Sequence, residues 1–356
     1  MLNFLNNKLR KPMPPKVGVI ANPISGRDIR RVIAKANSLQ IADRANIVVR
    51  LLAGLAACGV EDVVMMPERG GLAGHALRQM AQSAVRGNAR FPSVSFIEMP
   101  VTGTAADSRI AAKAMSAMDV GAIIVLGGDG THRAVAAECG ATPIAGVSTG
   151  TNNAFPEIRE PTITGYATGL VASGAVPKEI GLKPNKWLEV RIDGGPAEIA
   201  LVDVALVSQQ NLGARALWRT ETFRELYVAF ADPQLIGMSA IAGLIEPVGR
   251  DERHGLMLRL APASVAPLVV QAPIAPGLVE PIGVEQWRRL PAGQPIAPDL
   301  AAGSIALDGE RELTFHSRQN VSIRLVENAF DTIDVAAVMR FAATKGLLRE
   351  RNKACV

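Results

Sequence analysis

Apolar residues fall along this chain in two textures. From residue 16 to about 150, short unbroken apolar runs alternate with longer stretches of helical spacing. Val17-Gly-Val-Ile-Ala21 predicts a buried strand, closed by Asn22-Pro23. Asp28 to about Gln40 carries Ile29, Val32, Ile33 and Ala36 at helical intervals, and a second helix is predicted over Ala45–Ala57. Strands are predicted at Asp62–Met66, Val94–Glu98, Ala122–Leu126 and Pro143–Val147, with helices at Leu72–Val85 and Ala105–Met118. Strands that are apolar throughout and separated by helices imply a parallel sheet covered on both faces, with right-handed crossovers. Ligands of such sheets bind beyond the carboxyl ends of the strands. Asn22–Arg27, Gly127–Thr131 and Ser148–Asn153 would all lie on that edge.

From about Pro177 the pattern changes. Helical spacing fades, apart from a helix predicted around Arg215–Val228. Short β-rich runs take over at Trp187–Ile192, Glu198–Val207, Gly255–Leu260, Leu268–Gln271, Ser304–Leu307 and Val321–Leu325, punctuated by prolines from Pro262 to Pro298. Val335–Leu348 is helical again. The predicted architecture is α/β: a parallel α/β nucleotide-binding domain over residues 1–155, a β-rich substrate domain over 156–330, and a C-terminal segment, 331–356, that packs back on the first domain.

Length and composition narrow the chemistry. A chain of 356 residues with 48% hydrophobic content can fill two cores. The net charge of +5 is scattered, and its one cluster, Lys8-Leu9-Arg10-Lys11, reads as a solvated tail. Aromatics at 4% argue against stacking platforms for single-stranded nucleic acid. Cys58, Cys139 and Cys355 form no CxxC pair and read as reduced thiols of a cytoplasmic protein. No apolar core of signal length opens the chain, and no run of 18 apolar residues suggests a membrane span. His75, His132, His254 and His316 stand too far apart for zinc-ligand spacing. A homo-oligomer is compatible with these features.

The most informative stretch is Gly127-Gly128-Asp129-Gly130-Thr131, directly after a buried strand. Gly127, Gly128 and Gly130 would tolerate positive φ and let the backbone approach a ligand, and helix-start amides bind phosphate. Asp129 does not suit a pure anion cradle. It fits a residue that holds Mg²⁺, caps the next helix or accepts a proton from an attacking hydroxyl. A dinucleotide fingerprint fails here, because His132-Arg133 follow in place of a later glycine. At the end of the first strand, Asn22, Ser25, Gly26 and Arg27 could contact phosphate. After the strand at Pro143–Val147, Ser148, Thr151, Asn152 and Asn153 offer hydroxyl and amide groups to ribose or phosphate. Late in the chain, Asp308-Gly309-Glu310 looks like a hairpin turn, and its two carboxylates could also present a general base. Arg250–His254 reads as a solvated loop, and His132 as either a phosphate contact or a helix-surface residue.

The order of these motifs resembles the NAD kinase and diacylglycerol kinase superfamily. Gly127-Gly-Asp-Gly-Thr-His-Arg133, Ser148-Thr-Gly-Thr-Asn-Asn-Ala-Phe-Pro156, Ala272-Pro-Ile-Ala-Pro-Gly277 and Ala306-Leu-Asp-Gly-Glu-Arg311 resemble its ATP-NAD kinase-like branch, the acetoin catabolism protein X family. The resemblance runs from about residue 16 to 350. It implies a two-domain kinase with its site in the cleft, ATP or another phosphate donor, and Mg²⁺. It implies phosphates lined by Gly127, Gly128, Gly130 and Thr131, Asp129 acting at the metal or on the acceptor hydroxyl, and Asp308 or Glu310 as base. The preferred acceptor is the 2′-hydroxyl of NAD. The alternatives are a lipid or small-metabolite kinase and a nucleotide-binding accessory protein without turnover. The chain departs from lipid kinases at His132-Arg133, where they carry Asn-Glu, and at Asn152-Asn153, where they carry Asn-Asp. For the ribose-holding Asn-Glu pair of NAD kinases, the nearest acidic candidate is Val202-Asp203-Val204. These departures leave the acceptor open.

Overall fold

A computed structural model describes residues 15–22, 39–87, 90–149, 153–208, 222–309 and 311–349. The apolar runs of the first half become β1 (Lys16–Ala21), β2 (Asp62–Met65), β3 (Ser93–Phe96), β4 (Ala122–Gly127) and β5 (Ile144–Ser148), paired in parallel in the order β3-β2-β1-β4-β5. Between them run α1 (Ile41–Ala57), α2 (Leu72–Val85), α3 (Ala105–Ala117) and α4 (Asp129–Ala136). Side chains alternate across the sheet as pleating requires. Ile123 and Val125 of β4 enter one core, while Ala122, Ile124 and Leu126 enter the core on the opposite face. The helix predicted over Asp28–Gln40 lies almost wholly outside the described residues.

The second half departs from the sequence reading in three ways. First, α5 (Pro161–Ala172) was not predicted, and it belongs to the first sheet's helical layer. It crosses α1 at glycines: a Cβ on Gly165 would run into the Leu51 carbonyl oxygen, and one on Gly54 into that of Thr162. Gly165→Val is therefore expected to lower stability by about 1–3 kcal/mol through overpacking, read as a shifted denaturant midpoint. An unchanged midpoint would mean that the crossing can open without loss.

Second, three later strands extend the first sheet. After the short α6 (Lys178–Gly181) come β6 (Leu182–Ile192) and β7 (Glu198–Ala200), and the order continues β5-β15-β6-β7, where β15 is Val321–Ile333. The predicted single run Glu198–Val207 is thus two strands in two sheets. At Leu201–Val202 the chain leaves the first sheet, and β8 (Asp203–Val207) starts the second. That antiparallel sheet is ordered β11-β12-β10-β9-β8-β13-β14, with β9 at Phe223–Val228, β10 at His254–Ala261, β11 at Leu268–Ala275, β12 at Leu278–Pro291, β13 at Gly303–Leu307 and β14 at Arg311–Phe315.

Third, the described part of the helix predicted over Arg215–Val228 is strand β9. Its residues are almost continuously buried between β8 and β10, and tertiary pairing overrides the helical reading.

The two sheets share a core. Leu188 and Val190 of β6, Tyr227 of β9 and Ile305 of β13 pack with Ile123, Val125 and Met115. A third apolar cluster lies on the other face of the second sheet under α7 (Met238–Gly243). The last helix, α8 (Val335–Lys345), packs back against the first domain through Val338 and Ala342, as its pattern predicts. Among the described residues no helix is long and apolar enough to cross a membrane.

Candidate functional site

The carboxyl end of β4 carries the glycine turn. Gly128 is the N-cap of α4 in extended geometry, and Asp129 is the first helical residue. None of Gly127, Gly128 and Gly130 has positive φ, so conformational freedom is not why they are glycines. Close packing accounts for two of them. A Cβ on Gly127 would lie 2.6 Å from Thr131 Cβ, and one on Gly128 would lie 2.8 Å from Asn153 Oδ1. The chain's own side chains occupy the space that the sequence reading gave to a ligand.

Asp129 is 6% exposed, and its carboxylate is bound by the next loop along the edge. Oδ2 accepts the Ala154 N–H at 3.0 Å and Oδ1 accepts the Phe155 N–H at 2.8 Å. The carbonyls of the same two residues accept from Arg250 Nη2, at 3.0 Å and 2.7 Å. Arg250 comes from the β9–β10 connection, and its guanidinium sits over the rings of Phe155 and Phe230, 4.7 and 4.5 Å from their centroids. Arg250 is therefore part of this turn's support and not a solvated loop residue. Ser148 closes the same loop, its hydroxyl accepting from Asn153 Nδ2 at 2.8 Å.

Asp308 stands across the interdomain boundary. Its φ of 49° is one that aspartate tolerates, and the side chain is fully enclosed. Its carboxylate accepts the N–H groups of Leu201, Val202 and Asp203 at 3.1, 2.8 and 3.3 Å, where the chain switches sheets. Arg133 of α4 donates to Leu307 O at 2.6 Å and reaches Asp308 Oδ2 at 3.3 Å. The predicted role of Asp308 as base requires an accessible lone pair, and this geometry holds the carboxylate as a clamp. Lys186 makes a comparable tie: Nζ donates to the carbonyls of Gly249, Glu252 and His254 at 3.0, 2.7 and 2.7 Å. Three cations thus join the two sheets through main-chain carbonyls.

His132 is fully buried, not on a helix surface. Nδ1–H donates to Gly128 O at 2.9 Å, and Nε2 has no hydrogen-bond partner among the described residues. Burial lowers its pKa from 6.5 to about 4, with Arg250 adding to the effect, so the ring is neutral. The unfolded chain binds this proton more readily, so His132 makes stability fall as pH drops from about 6.5 towards about 4. His132→Gln should flatten that part of the curve in urea titrations at pH 5 and pH 7; an equal slope in both proteins would exclude the assignment.

Asn22 directly follows β1 and lines a cavity of about 240 Å³ beyond the carboxyl ends of β1 and β2, together with Glu68, Arg69, Thr104 and Asp107. Ser25, Gly26, Arg27, Thr151, Asn152 and Glu310 lie outside the described residues. Among the described residues the structure brings together Asp129, Gly128, Thr131, Ser148 and Asn153. No group of three or more His, Cys, Asp or Glu there is placed to hold a metal ion. Arg250 and Arg133 were missed as site residues, because their partners are about a hundred or more positions away in sequence. His132 had a signal, since it precedes the buried Val135 and Ala136 by helical spacing.

Comparison with known proteins bears on this arrangement. The family model described as the ATP-NAD kinase N-terminal domain matches residues 17–176, and that described as the acetoin catabolism protein X C-terminal domain matches residues 186–328. The acetoin catabolism protein X of Cupriavidus necator is 53% identical over 339 residues, 94% of each chain. This chain belongs to the acetoin catabolism protein X family. A solved structure of a candidate diacylglycerol kinase from Bacillus anthracis str. Sterne superposes with a TM-score of 0.50 at 15% identity, covering 89% of this chain and 97% of that one. At that identity the likeness concerns the fold. The family's first domain is thus of the ATP-NAD kinase type, joined to an antiparallel β domain.

Proposed function

We propose that this member of the acetoin catabolism protein X family is a phosphotransferase that moves the terminal phosphate of ATP to a hydroxyl, with the 2′-hydroxyl of NAD as preferred acceptor, in a cytoplasmic catabolic setting such as acetoin breakdown. The observation that carries the reading is the fixed, buried Asp129 carboxylate at the carboxyl end of β4, beside Asn153 and at the N-terminus of α4. A carboxylate fixed at this edge can orient an acceptor hydroxyl for in-line attack, which is most of what phosphoryl transfer asks of a protein. The cavity at Asn22 offers room for part of the nucleotide. Magnesium usually needs only one or two protein carboxylates beside phosphate and water. Asp129 fits that requirement as a single ligand, and bound magnesium would neutralise phosphate charge.

The test is ADP release from Mg-ATP over a set of acceptors. NAD should give the fastest release, ahead of diacylglycerol and small alcohols; a faster lipid would overturn the choice of acceptor. One observation favours a second reading. Asp308 is enclosed by amides and Arg133, so the late acidic motif offers no free base among the described residues. A nucleotide-binding accessory protein would bind ATP in calorimetry and release no ADP with any acceptor.

A further inference from the structure

A second polar cavity, of about 280 Å³, lies where the first sheet splits. β5 and β15 meet at a single register pair, Ile144 with Thr332, and β15 ends at Ile333 while β5 runs on to Ser148. Gly146 and the Phe155–Glu157 segment form one side, Lys183 and Asn185 of β6 the other, and the Thr332–Ala336 corner closes it. Asp129, Asn153 and Asp308 do not line it.

The lining leaves polar groups unspent. Arg250 uses Nη2 on the Ala154 and Phe155 carbonyls; among the described residues its other nitrogens make no hydrogen bond and no carboxylate lies within direct ion-pair distance. The guanidinium is held between two rings, and Glu157, Asp129 and Asp232 stabilise its charge from beyond direct ion-pair contact. Among the described residues Lys183 Nζ likewise makes no hydrogen bond or ion pair. Asn185 is 2% exposed; its Nδ2 donates to Lys183 O and Thr332 Oγ1, both at 2.8 Å, which leaves Oδ1 as an open acceptor. The lining also holds two acids. Glu157 is paired with Arg159, and Asp334 accepts the Ala337 N–H at 2.9 Å as the cap of α8. Arg159, Lys183 and Arg250 thus outnumber Glu157 and Asp334 in the lining, and among the described residues Lys183 and Arg250 have no direct ion-pair partner.

We propose that this cavity binds a small phosphate-bearing ligand, with phosphate oxygens on Arg250 and Lys183 and a ligand hydroxyl on Asn185 Oδ1. Guanidinium and ammonium groups without carboxylate partners are the donors that phosphate takes. A cavity of about 280 Å³ has room for more than a lone phosphate. Arg250 also grips the carbonyls of the two residues whose amides hold Asp129, so occupancy bears on that turn. This coupling rests on the reading of Asp129 as a functional residue; the binding does not.

Calorimetry on the full chain, with inorganic phosphate and glycerol 3-phosphate as probes, tests it. Saturable binding should persist in the presence of saturating Mg-ATP. Lys183→Met should weaken both probes at least tenfold, Lys183→Arg should retain them, and Mg-ATP binding should be the same in all three proteins. Among the described residues Lys183 Nζ has no partner to lose, so its variants should keep the wild-type denaturation midpoint; Lys183→Gln serves if the methionine variant does not. Tighter binding of the ester would identify a phosphate ester as occupant, and equal binding would identify free phosphate. No binding to the wild type, displacement by Mg-ATP, or wild-type affinity in Lys183→Met would overturn the proposal. If Mg-ATP fails to bind while phosphate still does, the phosphotransferase reading fails and this site stands.

Discussion

Asp308→Ala should lower the stability of this protein by about 3 kcal/mol or more, the largest stability effect of any single substitution considered. The carboxylate is enclosed and accepts main-chain N–H groups of Leu201, Val202 and Asp203, and Arg133 depends on it from the other domain. Truncation leaves these donors buried without acceptors, and breaking a buried charged network by removing one partner costs about 3–5 kcal/mol. Alanine is also strained at a φ of 49°, which Asp and Asn tolerate. Asp308→Asn should therefore fall between wild type and alanine, keeping the turn and one acceptor oxygen. Denaturant unfolding followed by the fluorescence of Trp187, stacked on Phe330 in the shared core, reads the loss. A change below about 1 kcal/mol for Asp308→Ala would mean that the sheet switch is not held by this carboxylate.

Asp129→Asn should reduce ATP-dependent turnover by at least about a hundredfold, the scale seen when a preorganised charged group at a reacting centre is removed. Asparagine keeps one oxygen for one amide of the Ala154–Phe155 pair and turns an NH₂ towards the other, so both the charge and the position of the loop are lost. Arg250 would then hold the loop's carbonyls without a carboxylate on its amide side. A matched far-ultraviolet spectrum and unfolding midpoint separate lost chemistry from lost structure. Turnover within about threefold of wild type would remove Asp129 from the reaction.

The parallel half of the fold was legible because strands buried on both faces must be apolar throughout. Leu72–Val85 is a helix with the predicted bounds, and Ala122–Leu126 is the strand before the glycine turn. Helix α5 escaped because Pro161-Thr-Ile-Thr-Gly-Tyr-Ala-Thr-Gly lacks a broad apolar stripe. Its small residues make sense only against α1, where Gly54 and Gly165 let two backbones approach. Strand β12 escaped because Glu280, Pro281 and Glu285 interrupt its apolar residues, although its pairing with β10 and β11 makes it the longest strand of the second sheet.

At the site, sequence marked the edge but not the wiring. The glycine turn and Asn153 are adjacent in space, as their shared edge implies. Nothing local shows that Asp129 would be bound by the amides of Ala154 and Phe155, or that Arg133 and Arg250 would join two sheets. Those roles depend on contacts between residues 95 or more positions apart, which no local pattern encodes.

The central claim, phosphate transfer from ATP to a nucleotide hydroxyl at Asp129, is tested most directly by phosphorus NMR of the full-length protein with Mg-ATP and NAD. The account predicts loss of the ATP γ-phosphate signal and growth of a 2′-phosphomonoester signal of NADP with the wild type, and neither with Asp129→Asn. An unchanged spectrum with a wild-type protein that demonstrably binds ATP, or equal product from both proteins, would contradict it.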